Sequence, residues 1–125
     1  MIPSQVKIVE VGPRDGLQNE EAVVPSETKF ELIERLADAG LRIIEATSFV
    51  STMRVPQMAD NAAVMEGIIR LAAAVYPVLT PNLQGFDAAL QAGACEVAVF
   101  GAASEERKVW KSLNLNIPPE ITRVS

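Results

Sequence analysis

With 125 residues the chain has room for one small domain or a share of a larger one, and a 49% apolar composition excludes disorder caused by low hydrophobicity. Eleven basic against 16 acidic residues give a net charge of −5 with no basic stripe, so nucleic acid is not an expected partner. A single cysteine and no histidine exclude an internal disulfide and any Ser-His-Asp or Cys-His catalytic system.

The chain opens with Val6-Lys7-Ile8-Val9-Glu10-Val11, a short β-branched run stopped by Gly12-Pro13 and read as the first strand. A polar loop carrying Arg14-Asp15-Gly16 runs on to Pro25. Ser26 then offers an N-cap for a helix with Phe30, Ile33, Leu36 and Ala37 at helical spacing and Gly40 placed to end it. Leu41 to Ala46 reads as a second strand, followed by the polar turn Thr47-Ser48. Val64, Met65, Ile68, Ile69 and Ala72 form the stripe of a second helix, and Val75 to Thr80 a third strand broken by Pro81-Asn82. Phe86, Ala89 and Leu90 mark a third helix stopped by Gly93, and Glu96 to Phe100 a fourth strand. Residues 1–105 are thus an α/β unit of four parallel strands with intervening helices, while 106–125, with a charge run and Pro118-Pro119, read as a divergent tail without a closing strand.

Two architectures use such units, the open doubly wound sheet and the closed eightfold barrel. Length favours the sheet, because a complete barrel takes about 250 residues. The absence of GxGxxG and GxxxxGK[ST] disfavours it. Residues alone leave the choice open. Ala39-Gly40 and Ala92-Gly93 each lead into an apolar strand containing a glutamate, a faint internal repeat.

In either architecture the strands deliver their carboxyl ends to one edge, where Arg14, Asp15, Glu45, Thr47, Ser48, Asn82 and Ser104 gather. Arg-Asp-Gly is also an ordinary turn sequence. Glu45, between Ile44 and Ala46 in an apolar strand, needs a partner when buried, and Arg14 is the candidate, whether for a structural or a working ion pair. Glu10 raises the same alternative or a solvated edge position. Cys95, without a histidine to activate it, is expected to be a buried inert thiol, and Met53, Met58 and Met65 to fill the core. Asp15 could contribute one ligand to a weakly held divalent cation.

Five blocks, Glu10-Val-Gly-Pro-Arg-Asp-Gly-Leu-Gln-Asn19, Ile44-Glu-Ala-Thr-Ser-Phe-Val50, Val55-Pro-Gln-Met-Ala-Asp60, Tyr76-Pro-Val-Leu-Thr-Pro-Asn82 and Phe100-Gly-Ala-Ala-Ser-Glu105, resemble the hydroxymethylglutaryl-CoA lyase family in order and spacing. The resemblance spans about residues 6–105 and implies the amino-terminal half of a TIM (β/α)8 barrel. It also implies a metal-binding lyase that cleaves 3-hydroxy-3-methylglutaryl-CoA to acetyl-CoA and acetoacetate, in leucine degradation and ketone-body formation. By the same resemblance Asp15 ligates Mg2+ or Mn2+, Arg14 and Glu45 are catalytic, and Arg14, Gln18, Ser48 and Glu10 line the acyl-CoA pocket. The family's other metal ligands (a His-x-His pair and an asparagine) and its cysteine-bearing loop have no counterpart here, and Cys95 does not take that role. The expectation is therefore a fragment inactive by itself, self-associating through open strand edges. It has no membrane partner and is placed in the cytoplasm, or in the mitochondrial matrix of a eukaryote. The alternatives are a non-catalytic half-barrel module, a non-functional fragment, or a related metal-dependent aldolase or Claisen-type synthase.

Overall fold

A computed structural model describes residues 2–99 and the backbone of Thr122–Val124. Strand β1 (Val9–Glu10) pairs in parallel with β2 (Ile43–Ile44). Strand β3 (Thr47–Ser48) pairs with β4 (Val78–Leu79), β4 with β5 (Glu96–Ala98), and β5 with β6 (Thr122–Val124), again all parallel. Helices α1 (Ser26–Asp38), α2 (Asn61–Gly67) and α3 (Leu83–Gln91) make the crossovers. Their inner faces bury Ile33, Ala37, Val64, Met65, Phe86 and Ala89 against Ile44, Ala46, Val78 and Val97 of the strands.

The repeated helix endings have one physical cause. After α1, Gly40 N–H donates to Ala37 O and Leu41 N–H to Leu36 O; after α3, Gly93 N–H donates to Leu90 O and Ala94 N–H to Ala89 O. Both are Schellman stops, and Gly40 (φ 103°) and Gly93 (φ 83°) adopt the left-handed conformation that the motif requires. Each stop turns the chain directly into the next strand, so the repeat read in the sequence is a repeated αβ hinge.

Four expectations are corrected. Ser26 is the first residue of α1 rather than its N-cap, and its hydroxyl goes to Asp60 Oδ2 at 2.6 Å. The second helix ends at Gly67 instead of reaching Ala72, because Arg70 takes the carbonyl of Met65 at 3.0 Å and Ile68 turns to extended backbone; Ile69 is left exposed. Met53 lies 93% exposed in the loop after β3, while Met58 and Met65 are buried as expected. Cys95 is exposed in the loop between Gly93 and β5.

The second strand is also more complex than a single run. Ala46 N–H donates to Pro77 O, whereas the next bond to that neighbour is Phe49 N–H to Leu79 O. Three residues on one strand thus advance against two on the other; because Ile43 pairs with Val75 and Thr47 with Val78, the extra residue lies between Ile44 and Thr47 and defines a β-bulge there. The expected polar turn is the continuation of the strand, split from β2 by the bulge. The backbone of Thr122–Val124 adds a further parallel strand beyond β5; the rest of the expected tail, 106–121 and 125, and Ser104 lie outside the described residues.

Candidate active site

The segment after β1 folds into a single π-turn over Gly12–Gly16, in which the amides of Arg14, Asp15 and Gly16 all point at Val11 O. Such turns are rare and recur at functional sites. Here the turn sends Arg14 inward and Asp15 outward. Arg14 is 6% exposed, and its Nη2 lies 3.0 Å from Glu45 Oε2. Its Nη1 lies 3.3 Å from Asp15 Oδ1. Glu45 is 4% exposed and follows β2, with its amide bonded to Glu10 O across the strand pair. The buried carboxylate has the partner its environment demands, and that partner is the arginine singled out from the sequence.

Asp15 keeps its carboxylate half in solvent, also within 3.5 Å of Asn19 Nδ2. Glu10 accepts a 2.9 Å bond from Gly12 N–H, so it braces the start of the turn. Gln18 and Ser48 share a different property. Gln18 Oε1 and Ser48 Oγ are buried atoms with no hydrogen-bond partner, and Ser48 itself is fully buried. Buried polar groups are normally satisfied, which sets these two apart, one in the loop after β1 and one at the end of β3. A groove of about 400 Å³ is lined by Phe49, Ser51 and Thr52 after β3, by Asn61 at the start of α2, and by Asn82 and Gln84 at the start of α3.

One set of residues escaped the sequence reading. Lys29, 1% exposed, donates from Nζ to Asp60 Oδ1 and to Gln57 O, both at 2.6 Å. A signal existed: Lys29, Ile33 and Ala37 recur every four residues on the buried face of α1, where a lysine must find an acceptor.

Whether these residues fit a divalent cation is decided by their donors. Asp15 supplies a hard, accessible carboxylate oxygen, as Mg2+ or Mn2+ requires. Among the described residues, no group of three or more His, Cys, Asp or Glu side chains gathers around a common point. Asp15 therefore fits as a single ligand within a set that needs other donors. Among the described residues, no helix is long and apolar enough to cross a membrane.

A guanidinium–carboxylate cluster thus sits at the carboxyl-terminal rim of a parallel βα array, the edge where sites of such folds form. Comparison with known proteins makes the family explicit. The HMGL-like family model matches residues 5–121, and the chain belongs to that family. It is 58% identical over 123 residues to the mitochondrial hydroxymethylglutaryl-CoA lyase of Gallus gallus, covering 98% of this chain and 41% of that protein. The hydroxymethylglutaryl-CoA lyase structure from Pseudomonas aeruginosa superposes with a TM-score of 0.78 at 53% identity, over 83% of this chain and 35% of that one. An HMG-CoA lyase from Acinetobacter baumannii, solved in complex with coenzyme A and 3-methylmalate, does so at 0.78 and 39% identity, over 85% and 35%. The chain thus spans well under half the length of these relatives, and its fold is the amino-terminal half of a TIM barrel.

Proposed function

We propose that this chain carries the amino-terminal share of a 3-hydroxy-3-methylglutaryl-CoA lyase active site. The observation that carries the proposal is the buried Arg14–Glu45 pair, 3.0 Å apart, with Asp15 beside it and the orphaned Gln18 and Ser48 atoms on the same rim. In the reaction the tertiary hydroxyl of the substrate loses its proton, and its oxygen becomes the ketone of acetoacetate. The adjacent carbon–carbon bond breaks, and its electrons pass to the acetyl-CoA enolate, which is then protonated. Arg14 presents its guanidinium to the thioester oxygen as charge develops there. Glu45 fixes the plane and position of that guanidinium, so the donor needs no reorganisation in the transition state. Gln18 and Ser48 hydrogen-bond the acyl portion, and Glu10 lines the pocket while holding the turn. Asp15 is the residue fitted to hold Mg2+ or Mn2+, whose chemistry when bound is Lewis-acid polarisation of a substrate oxygen.

The acyl-CoA partner is supported by the coenzyme A complex of the Acinetobacter baumannii relative. A role in leucine degradation and ketone-body formation follows from that reaction. A mitochondrial relative supports the matrix as the location in a eukaryote, with the cytoplasm as the bacterial equivalent. Self-association is proposed through the outer edge of β1, where Val6, Ile8 and Val9 are exposed and, among the described residues, no further strand pairs.

The test is a chimera in which residues 5–121 replace the matching segment of the Pseudomonas aeruginosa lyase. It should release acetoacetate from 3-hydroxy-3-methylglutaryl-CoA, and Arg14→Gln should lower kcat by about 10²–10³-fold. A folded chimera without activity, or one indifferent to Arg14→Gln, would contradict the proposal.

A further inference from the structure

We infer that the ion pair of the buried Lys29 with the partly exposed Asp60 is a positioning element that sets the spacing of the two substrate-facing loops, those bearing Gln18 and Ser48. The inference rests on the proposed role of those two residues. Its evidence is a connected set of polar contacts converging on the short segment 57–61, which holds the end of a 3-10 turn (Pro56–Met58) and the start of α2. Lys29 seats this segment on α1 through Gln57 O and Asp60 Oδ1, and Ser26 Oγ holds the other oxygen of Asp60. From the seated segment, two side chains reach outward in different directions. Gln57 Nε2 donates to Glu20 O at 2.7 Å, and Glu20 N–H in turn bonds Leu17 O, which closes the loop carrying Gln18. Asn61 Nδ2 donates to Ser48 O at 3.2 Å, on the bulged strand end. Met58, fully buried in the same turn, receives the Thr47 hydroxyl at 3.7 Å from Sδ.

The physical consequence is that the two loops share one support in addition to their own backbone bonds. The loop at 17–20 and the strand end at 47–48 are both tied to segment 57–61, and that segment is seated on α1 by the Lys29 ammonium together with the Ser26 hydroxyl. A buried ammonium is costly without its carboxylate, so loss of either partner loosens the segment. Gln18 Oε1 and Ser48 Oγ, the two orphans, then lose their mutual register. Lys29 is buried away from solvent and, with Asp60 bound to it, acts through the groups it places.

Two measurements on the full chain test the inference. Hydrogen exchange should rise selectively in segments 17–20 and 48–51 of Lys29→Met and Asp60→Asn, with α3 and β5 unchanged and Lys29→Arg restoring much of the protection. Uniform loosening, or unchanged exchange in both loops, would overturn it; Asp60→Asn, which keeps the side chain's shape, decides the matter where Lys29→Met does not fold. In parallel, calorimetry with 3-hydroxy-3-methylglutaryl-CoA should show about tenfold weaker binding for Lys29→Met, and less than about twofold in a Gln18→Ala/Ser48→Ala background. An equal loss in both backgrounds marks a merely structural pair and overturns the inference. Where the unsubstituted chain alone binds no ester, hydrogen exchange alone decides the positioning role, and the chimera decides the proposed function.

Discussion

Arg14 and Glu45 are 31 residues apart in the chain and 3.0 Å apart in space, each almost wholly buried, with Asp15 on the solvent side of the same guanidinium. Parallel strand pairing makes this contact possible. Glu10 and Ile44 are register partners, so the turn that follows β1 overhangs the residue that follows β2. The fold therefore delivers a fixed cation to the barrel rim, backed by a carboxylate and flanked by a second one open to ligands.

Glu45→Ala removes the acceptor of a buried arginine. Breaking such a pair from one side costs about 3–5 kcal/mol, mostly from the stranded charge. Urea unfolding should show a loss of that order, and Glu45→Gln, which preserves shape and an acceptor oxygen, should lose clearly less. Equal losses would mean that volume rather than charge makes the site.

Ser48→Ala should separate stability from function. Its hydroxyl is buried and unpartnered, and such a group carries a desolvation penalty of about 1–3 kcal/mol. Removing it should leave stability unchanged or raise it by about 1 kcal/mol, while substrate affinity falls. Thermal unfolding beside a binding titration reads both. A large drop in stability would show that the hydroxyl has a structural partner.

The sequence made some of this legible and hid the rest for identifiable reasons. Gly40 and Gly93 announced the helix stops because a left-handed residue leaves a local compositional mark. The Arg14–Glu45 pair was legible because a carboxylate in an apolar strand must find a cation, and one stood at the end of the neighbouring strand. The bulge just before Thr47–Ser48 was not, since a register slip depends on the partner strand, and two polar residues after an apolar run look like a turn. Lys29–Asp60 is a pair formed across a crossover, visible only as an odd lysine on an apolar stripe. Met53 and Cys95 were misread because burial was inferred from residue type, while both lie in loops between elements.

Cation affinity follows from the same geometry. With Asp15 as the one accessible carboxylate of the cluster, the chain alone should bind Mn2+ with a Kd no tighter than about 1 mM, or roughly 4 kcal/mol. Asp15→Asn should abolish what binding there is. Micromolar binding by calorimetry would reveal a ligand set that the described residues do not supply.

The most direct measurement is a crystal structure of the chimeric lyase with a coenzyme A thioester bound. The account predicts the Arg14 guanidinium within about 3 Å of the thioester oxygen, with Glu45 still paired behind it and the Ser48 hydroxyl bonded to the acyl portion. A thioester lying elsewhere on the rim, with Arg14 facing only Glu45 and Asp15, would contradict it.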